Sequence, residues 1–443
     1  MTDATALAAA IADGQVTARE VMAASLARVC EVPGAVARVL PEADALALAD
    51  APAQGPFSGV PFLGKDLGSS ARGLGIAAGV PALRDRLPDP FEDSAIFATF
   101  RAAGLVPFGL TSVPEFGLAL TTEPRGTPPA ANPFDPALSA GGSSGGAVLA
   151  VATGIVAIAH ATDAAGSIRV PAACCGLWGS KPSRGAVPEG PDFGNHLMGI
   201  ASELVVARSL RDVETVFHAV AGTSPVATSE PKRIGLCLPP GASVETAAVL
   251  RNTADTLTAQ GHVVTDIPPP SELAAECDRV ARAILTVSLA EWVDALDLSE
   301  PDITPIAASI ATEGRAMTGT EVFALTRDVA RLSHEAAALF EDFDAILMPV
   351  LSGPPPRIGS FPDAETSPEV RFARMAEIAP MATLANVAGL PALAFPAGFR
   401  NGLPIGAQLL GPLGKDADLL ALAACLAHCT DIPFPHPIAG LPT

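Results

Sequence analysis

Gly141-Gly-Ser-Ser-Gly-Gly-Ala-Val-Leu-Ala-Val-Ala-Thr-Gly-Ile-Val-Ala-Ile-Ala-His-Ala-Thr-Asp-Ala-Ala-Gly-Ser167 is the stretch that decides the fold. Its glycines and serines lead into residues 147–153, an apolar segment of Ala, Val and Leu that predicts a helix. Gly154 breaks it. Residues 155–161 follow with Ile, Val and Ala and predict a strand that ends at Thr162-Asp163. Small residues then turn the chain onto Ser167. The apolar run over residues 147–159 is 13 residues long, short of the ~20 that a membrane-spanning helix needs.

The alternation continues outward. Residues 3–31 read as two helices, the second opened by a capping box of Thr17 and Glu20. Residues 59–67 read as a strand end that runs into a loop and presents Lys65. Residues 94–104 read as a helix stopped by Gly104, and 105–110 as a strand. A Pro/Thr/Asn-rich loop over 121–139 delivers the Gly/Ser stretch, and 183–202 read as an irregular loop. Strands at 233–238 and 262–267 flank a helix at 245–260. Residues 336–345 and 346–350 repeat helix then strand. Residues 381–387 lead into 393–395, and 416–428 close as a helix. Strand and helix in alternation predict an α/β fold. With no internal repeat or linker, the expectation is one domain over 1–443, with 270–345 a mostly helical insertion.

Composition narrows the function. The chain is 49% hydrophobic, which supplies a large core. Its formal net charge of −20 repels nucleic acid and anionic membrane surfaces. The first residues carry Asp3 and Asp13 and no early Lys or Arg, unlike a secretory leader. The seven cysteines, odd in number and mostly in apolar surroundings, read as reduced thiols, so the expected location is the cytoplasm. Cys425, His428 and Cys429 share helical spacing, but that stretch reads as a core helix without a second ligand pair, so no metal is expected. A homodimer is the base-rate expectation for assembly. There are only four lysines, so Lys65 inside an apolar segment stands out.

Four segments could carry chemistry, and each has a bland reading beside it. Gly59-Val-Pro-Phe-Leu-Gly64-Lys65-Asp66 nearly matches a phosphate loop, but Asp66 stands where a Mg²⁺-holding hydroxyl is needed and would repel phosphate. Gly73-Leu-Gly75-Ile-Ala-Ala78 fits a dinucleotide fingerprint, yet no strand leads into it, and a turn-rich connector is the simpler account. Gly141-Gly142-Ser143-Ser144-Gly145 matches a nucleophile elbow, but a loop precedes it and no downstream His sits in a catalytic-looking loop. A flexible connector explains it equally well. Asp163-Ala-Ala-Gly-Ser167 places a serine on a tight turn after a strand, where small residues let backbone N–H groups converge. An ordinary strand–turn–helix junction would look the same.

Taken in order, Gly64-Lys65-Asp66, Gly141–Gly146 and Thr162–Arg169 resemble the amidase signature family. Thr111–Phe116, Asn132–Pro136, Ile168–Ala172, Cys175-Gly176, Lys181-Pro182, residues 384–392, 402–406 and 408–411 extend the resemblance over most of 1–220 and 335–430. It implies a large mixed β-sheet flanked by helices on both faces. It also implies cofactor-free hydrolysis of a small-molecule carboxamide to carboxylate and ammonia or amine. By the same resemblance Ser167 is the nucleophile that forms an acyl-enzyme, Ser143 (preceded by a cis peptide) relays the proton, and Lys65 is the base. The N–H groups of Ala164, Ala165, Gly166 and Ser167 would form the oxyanion hole, with Ser144, Asp163 and Arg169 in support. A serine hydroxyl needs such a base, and burial in Val60-Pro61-Phe62-Leu63-Gly64 would keep a lysine neutral.

Two departures stand out. Ala165 replaces a glycine, at a cost of ~1–2 kcal/mol if that position requires φ > 0. Residues 202–209 lack the Gly-Pro that many relatives carry. Three functions are carried forward: an amidase for an apolar or aryl amide, an A-type subunit of a glutamine-dependent amidotransferase acting on charged tRNA, and a non-catalytic amide-binding protein. The acidic surface counts against the second, and the intact Lys65, Ser143 and Ser167 against the third.

Overall fold

The structure, a computed structural model, describes all residues except 1, 85, 191–195, 227–229, 428, 430 and 443. Its described strands are β1 (Val36–Val39), β2 (Pro61–Lys65), β3 (Val106–Thr111), β4 (Ile158–Asp163), β5 (Trp178–Lys181), β6 (Ser202–Ala207), β7 (Arg233–Cys237), β8 (Val263–Ile267), β9 (Ala345–Pro349), β10 (Ala392–Arg400) and β11 (Leu403–Leu410). They form one 11-stranded sheet in the order β1-β3-β2-β4-β6-β5-β10-β11-β9-β7-β8. The sheet is mixed. β2 runs parallel to both β3 and β4, while β4, β6, β5, β10, β11 and β9 are antiparallel in turn. β7 returns to parallel pairing with β9 and β8.

Successive side chains of a strand point to opposite faces, and β4 shows both layers. Ile158 joins a core that includes Ile96, Phe97 and Phe100 of the helix Ala95–Ala102 and Val213 and Val216 of the helix Leu210–Ala221. Ala159 and Ala161 join a second core with Val148 and Val151 of the helix Gly145–Ala152 and Ala172 and Ala173 of the helix Arg169–Cys175. Helices therefore cover both faces, and β4, in the interior of the sheet, is buried along its whole length.

The capping box at Thr17 and Glu20 is formed as read. Between residues 270 and 345 lie the helices Ser271–Ala295, Pro305–Ala316 and Gly319–Ala337. The helix expected over 336–345 is instead the end of the last of these, followed by the short turn Ala338–Phe340. Glu341, Asp342 and Asp344 come next, and carboxylates oppose the negative end of a helix dipole. No helix among the described residues is long and apolar enough to cross a membrane.

Candidate active site

β2 carries Lys65 to its carboxyl end, fully buried. Its Nζ lies 2.8 Å from Ser143 Oγ, 2.8 Å from Thr162 Oγ1 and 3.4 Å from the Thr162 carbonyl oxygen. Burial pushes its ammonium down to about 7, against the opposing pull of Asp163 and Glu203. Behind it, the Lys65 backbone N–H donates to His160 Nδ1 at 3.2 Å, and His160 Nε2 sits 2.9 Å from Glu203 Oε2. Ser69 donates to the same carboxylate through its N–H and its hydroxyl. The His160 ring packs edge-on against Phe97.

The Gly/Ser stretch crosses in front of this lysine. The Gly142–Ser143 peptide is cis. Thr122 Oγ1 accepts from the Gly145 N–H and donates to the Gly141 carbonyl, which ties the loop down at two points. Gly146 is there because nothing larger fits: a Cβ would lie 2.4 Å from Ser112 N and 2.5 Å from Ala35 O. Ser144 is buried, and its hydroxyl donates to the Thr162 carbonyl at 3.3 Å.

The turn after β4 is organised by Asp163. Its carboxylate accepts from the Gly166, Ile168 and Arg169 backbone N–H groups, from Arg169 Nε and Nη2, and from Asn386 Nδ2. Burial alone would raise this carboxyl, but the Arg169 charge and hydrogen bonds, Lys181 and Asn386 hold it well below the usual carboxylate range. Arg169 in turn donates to Gln408 Oε1, the Ala382 carbonyl and Asn386 Oδ1.

This network bears on one expectation. The Gly166 N–H, expected in the oxyanion hole, is committed to Asp163 at 2.7 Å. Among the described residues, the N–H groups of Ala164, Ala165 and Ser167 donate to no protein acceptor. The turn takes its positive φ of 100° at Gly166, and Ala165 is not among the residues with positive φ. The alanine therefore carries no left-handed strain.

Ser143, Ser167, Ala164, Ala165 and Thr162 line one cavity of about 50 Å³. Leu67, Phe116, Leu285, Leu289, Trp292 and Met375 supply its apolar wall, and none of its described lining residues is charged.

The Amidase family profile matches residues 18–420. The chain belongs to the amidase signature family. It is a hydrolase of amides. It is 29% identical to the 6-aminohexanoate-cyclic-dimer hydrolase of Paenarthrobacter ureafaciens, over 96% of this chain and 94% of that protein. It is 33% identical to the A-type subunit of the glutamyl-tRNA(Gln) amidotransferase of Thermus thermophilus, over 95% and 96%. The solved structure of a 6-aminohexanoate cyclic dimer hydrolase superposes with a TM-score of 0.88 at 28% identity, covering 98% of each chain.

In this amidase several site residues escaped the sequence reading. His160 and Glu203 lie on the neighbouring strands β4 and β6. Each is a polar side chain flanked by apolar residues on at least one side of its strand, and buried polar groups need partners; that was the available signal. Thr122, Asn386 and Gln408 had none beyond lying in or near segments of family resemblance. Of the Cys425, His428 and Cys429 cluster, His428 lies outside the described residues. Cys425 Sγ donates to the Leu422 carbonyl, and no group of three or more His, Cys, Asp or Glu that could hold a metal occurs among the described residues.

Proposed function

We propose that this amidase hydrolyses a neutral, apolar small-molecule amide through an acyl-enzyme on Ser167, with Ser143 as proton relay and Lys65 as base. The observation that carries this reading is the environment of Lys65 Nζ. A neutral amine has two N–H donors and one lone pair. The two oxygens of Thr162 accept the two protons, which leaves the lone pair for the Ser143 hydroxyl at 2.8 Å. A pKa near 7 makes that neutral form abundant at ordinary pH.

In the first step Ser143 gives its proton to Lys65 and takes one from Ser167, whose oxygen attacks the carbonyl carbon. The N–H groups of Ala164, Ala165 and Ser167 stabilise the oxyanion. As the C–N bond breaks, the proton returns through Ser143 to the departing amine. Water then cleaves the ester by the same relay. Asp163 and Arg169 hold the turn and take no part in proton transfer.

The 33% identity to an amidotransferase component supports a second reading, in which glutamine is the amide. Glutamine brings an ammonium and a carboxylate, and buried charges need partners. The uncharged lining of the cavity favours the neutral substrate.

The test is intact-mass labelling with a fluorophosphonate, followed by peptide mapping and an amide panel that includes glutamine. A single adduct on Ser167, lost in Ser167→Ala together with turnover while circular dichroism is unchanged, is the expected result. An adduct elsewhere, or full turnover by the alanine variant, removes Ser167 as nucleophile.

A further inference from the structure

The cavity at Ser167, about 50 Å³, is too small for the apolar part of any substantial amide; a benzene ring fills an apolar cavity of about 150 Å³. Beside it lies a second cavity of about 280 Å³. The two share three walls: Leu67, Phe116 and Trp292. Ile76, Ala78, Leu83, Leu87, Ala295 and Leu296 complete the second chamber, and none of its described lining residues is charged.

The partition is built, not incidental. Phe116 and Trp292 face each other with ring centroids 6.2 Å apart. Phe116 holds a left-handed backbone (φ 50°, ψ 17°), which is uncommon for a bulky residue. Its N–H donates to the carbonyl of Ala78, itself at φ 52°. The segment around Ala78 is in turn pinned by Asp66, whose buried carboxylate accepts from the Ala77 N–H at 2.6 Å and the Gly79 N–H at 3.2 Å. Thus the residue next to Lys65 in sequence anchors the wall of the second chamber. Both wall segments and the lysine hang on the same strand end.

From this geometry we infer that the second chamber is the specificity subsite of the enzyme: it takes a long or aromatic uncharged substituent of the amide, threaded past Leu67, Phe116 and Trp292 while the carboxamide sits at Ser167. The inference rests on the amidase reading above and adds the substrate class. Charged tails are rejected because neither chamber offers a described charged partner, and an ion without one loses its hydration uncompensated. Each methylene buried in an apolar site favours binding by about fourfold.

The experiment measures kcat/KM on acetyl, butanoyl and octanoyl p-nitroanilides, on 6-aminohexanoyl and adipoyl p-nitroanilides with charged tails, and on a matching series of acetamides with lengthening N-alkyl groups. Rates are compared for the wild type, Ala295→Phe, which fills the chamber from its outer rim, and Trp292→Ala, which widens the partition. In one of the two series the octanoyl or octyl member should exceed the four-carbon member by at least about tenfold, and by about 250-fold if all four added methylenes are fully buried, and that series identifies which side of the amide enters. The charged tails should fall below butanoyl. Ala295→Phe should cut the long-to-short ratio at least tenfold, and Trp292→Ala should shift the optimum toward bulkier groups. Turnover with no length dependence in either series overturns the subsite, as does preference for a charged tail or a ratio untouched by both variants. Failure of the amidase reading looks different: no member of either series is turned over and Ser167 takes no fluorophosphonate.

Discussion

Replacing Glu203 by glutamine should make this amidase a better catalyst in acid and leave it unchanged in alkali. The effect acts through Lys65. In the proposed mechanism its ammonium must lose a proton before it can accept one from Ser143, so kcat/KM should rise with pH, pass half its maximum near the lysine's pKa of about 7, and level off above. At its ordinary value of 10.5 the lysine would be neutral at pH 7 in roughly one molecule in three thousand. Burial supplies that gain, and Asp163 and Glu203 oppose it. Glu203 acts from behind, through His160, which bridges it to the Lys65 backbone.

Glutamine keeps the shape and an acceptor oxygen for Ser69 and removes the charge. Opposite charges in direct contact shift a pKa by roughly 1–3 units; Glu203 reaches the lysine's backbone through His160 and makes no hydrogen bond to the ammonium, so the low end applies, about one unit. The midpoint should therefore fall toward 6. At pH 6 the neutral fraction would rise from about a tenth to about a half, so the variant should run about fivefold faster there and at the wild-type rate at pH 9. The assay is kcat/KM on a neutral anilide from pH 5 to 10. Asp66, pushed up to about 6 by burial, adjoins the site; an inflection that belongs to it would stay in place in Glu203→Gln. A midpoint that does not move, or moves upward, refutes the assignment of Lys65 as the base tuned by Glu203. A flat profile in the wild type refutes the neutral lysine altogether.

Three further outcomes are expected. Ala165→Gly should leave kcat within about twofold, because position 165 has no positive φ to relieve, whereas Gly166→Ala, at φ 100° with its Cβ 2.9 Å from that of Ala382, should cost at least tenfold in kcat. Both are read from steady-state rates. Arg169→Met should destabilise the fold by about 3–5 kcal/mol, seen as a lower urea midpoint, because it strands the buried Asp163 carboxylate; a midpoint shift under 1 kcal/mol would contradict that account. Chelators should not change the rate, and a loss restored by added zinc would show a metal the chemistry above does not use.

Much of the candidate site is legible because its residues are anomalous where they stand. A lysine in an apolar strand, a serine run framed by glycines and an aspartate at a strand's end each break the local pattern, and local rules fail where function is placed. What holds them was not legible. Asp163 meets Asn386 across 223 residues of chain and Arg169 meets Gln408 across 239, and no period or cap relates such positions. The fold showed the same division. Strands beside caps and turns were readable, such as β7 and β8 around their helix. The sequence marks β6 only by the Gly-Pro it lacks, yet it pairs with β4 and brings Glu203 beside His160. The Gly166 N–H illustrates the limit: four small residues in a row suggest converging amides, but only the structure shows that one of them is already paired with the Asp163 carboxylate.

The two carboxylates near Lys65 are not interchangeable. Asp163 is neutralised in place by Arg169, and its remaining lone pairs are spent on the turn and on Asn386. Glu203 meets only an imidazole and a serine in the described contacts. Asp163 exerts the larger pull on Lys65 and Glu203 the smaller, but only Glu203 can lose its charge without unmaking the turn. Burial by itself would drive Lys65 to a weak base, always neutral and reluctant to take a proton from a serine. A carboxylate placed one ring away returns part of that basicity without forming an ion pair that would lock the proton on. A base that works at neutral pH needs both opposing terms, so the His160–Glu203 pair, invisible as a catalytic motif, belongs to the same design as the serine it never touches.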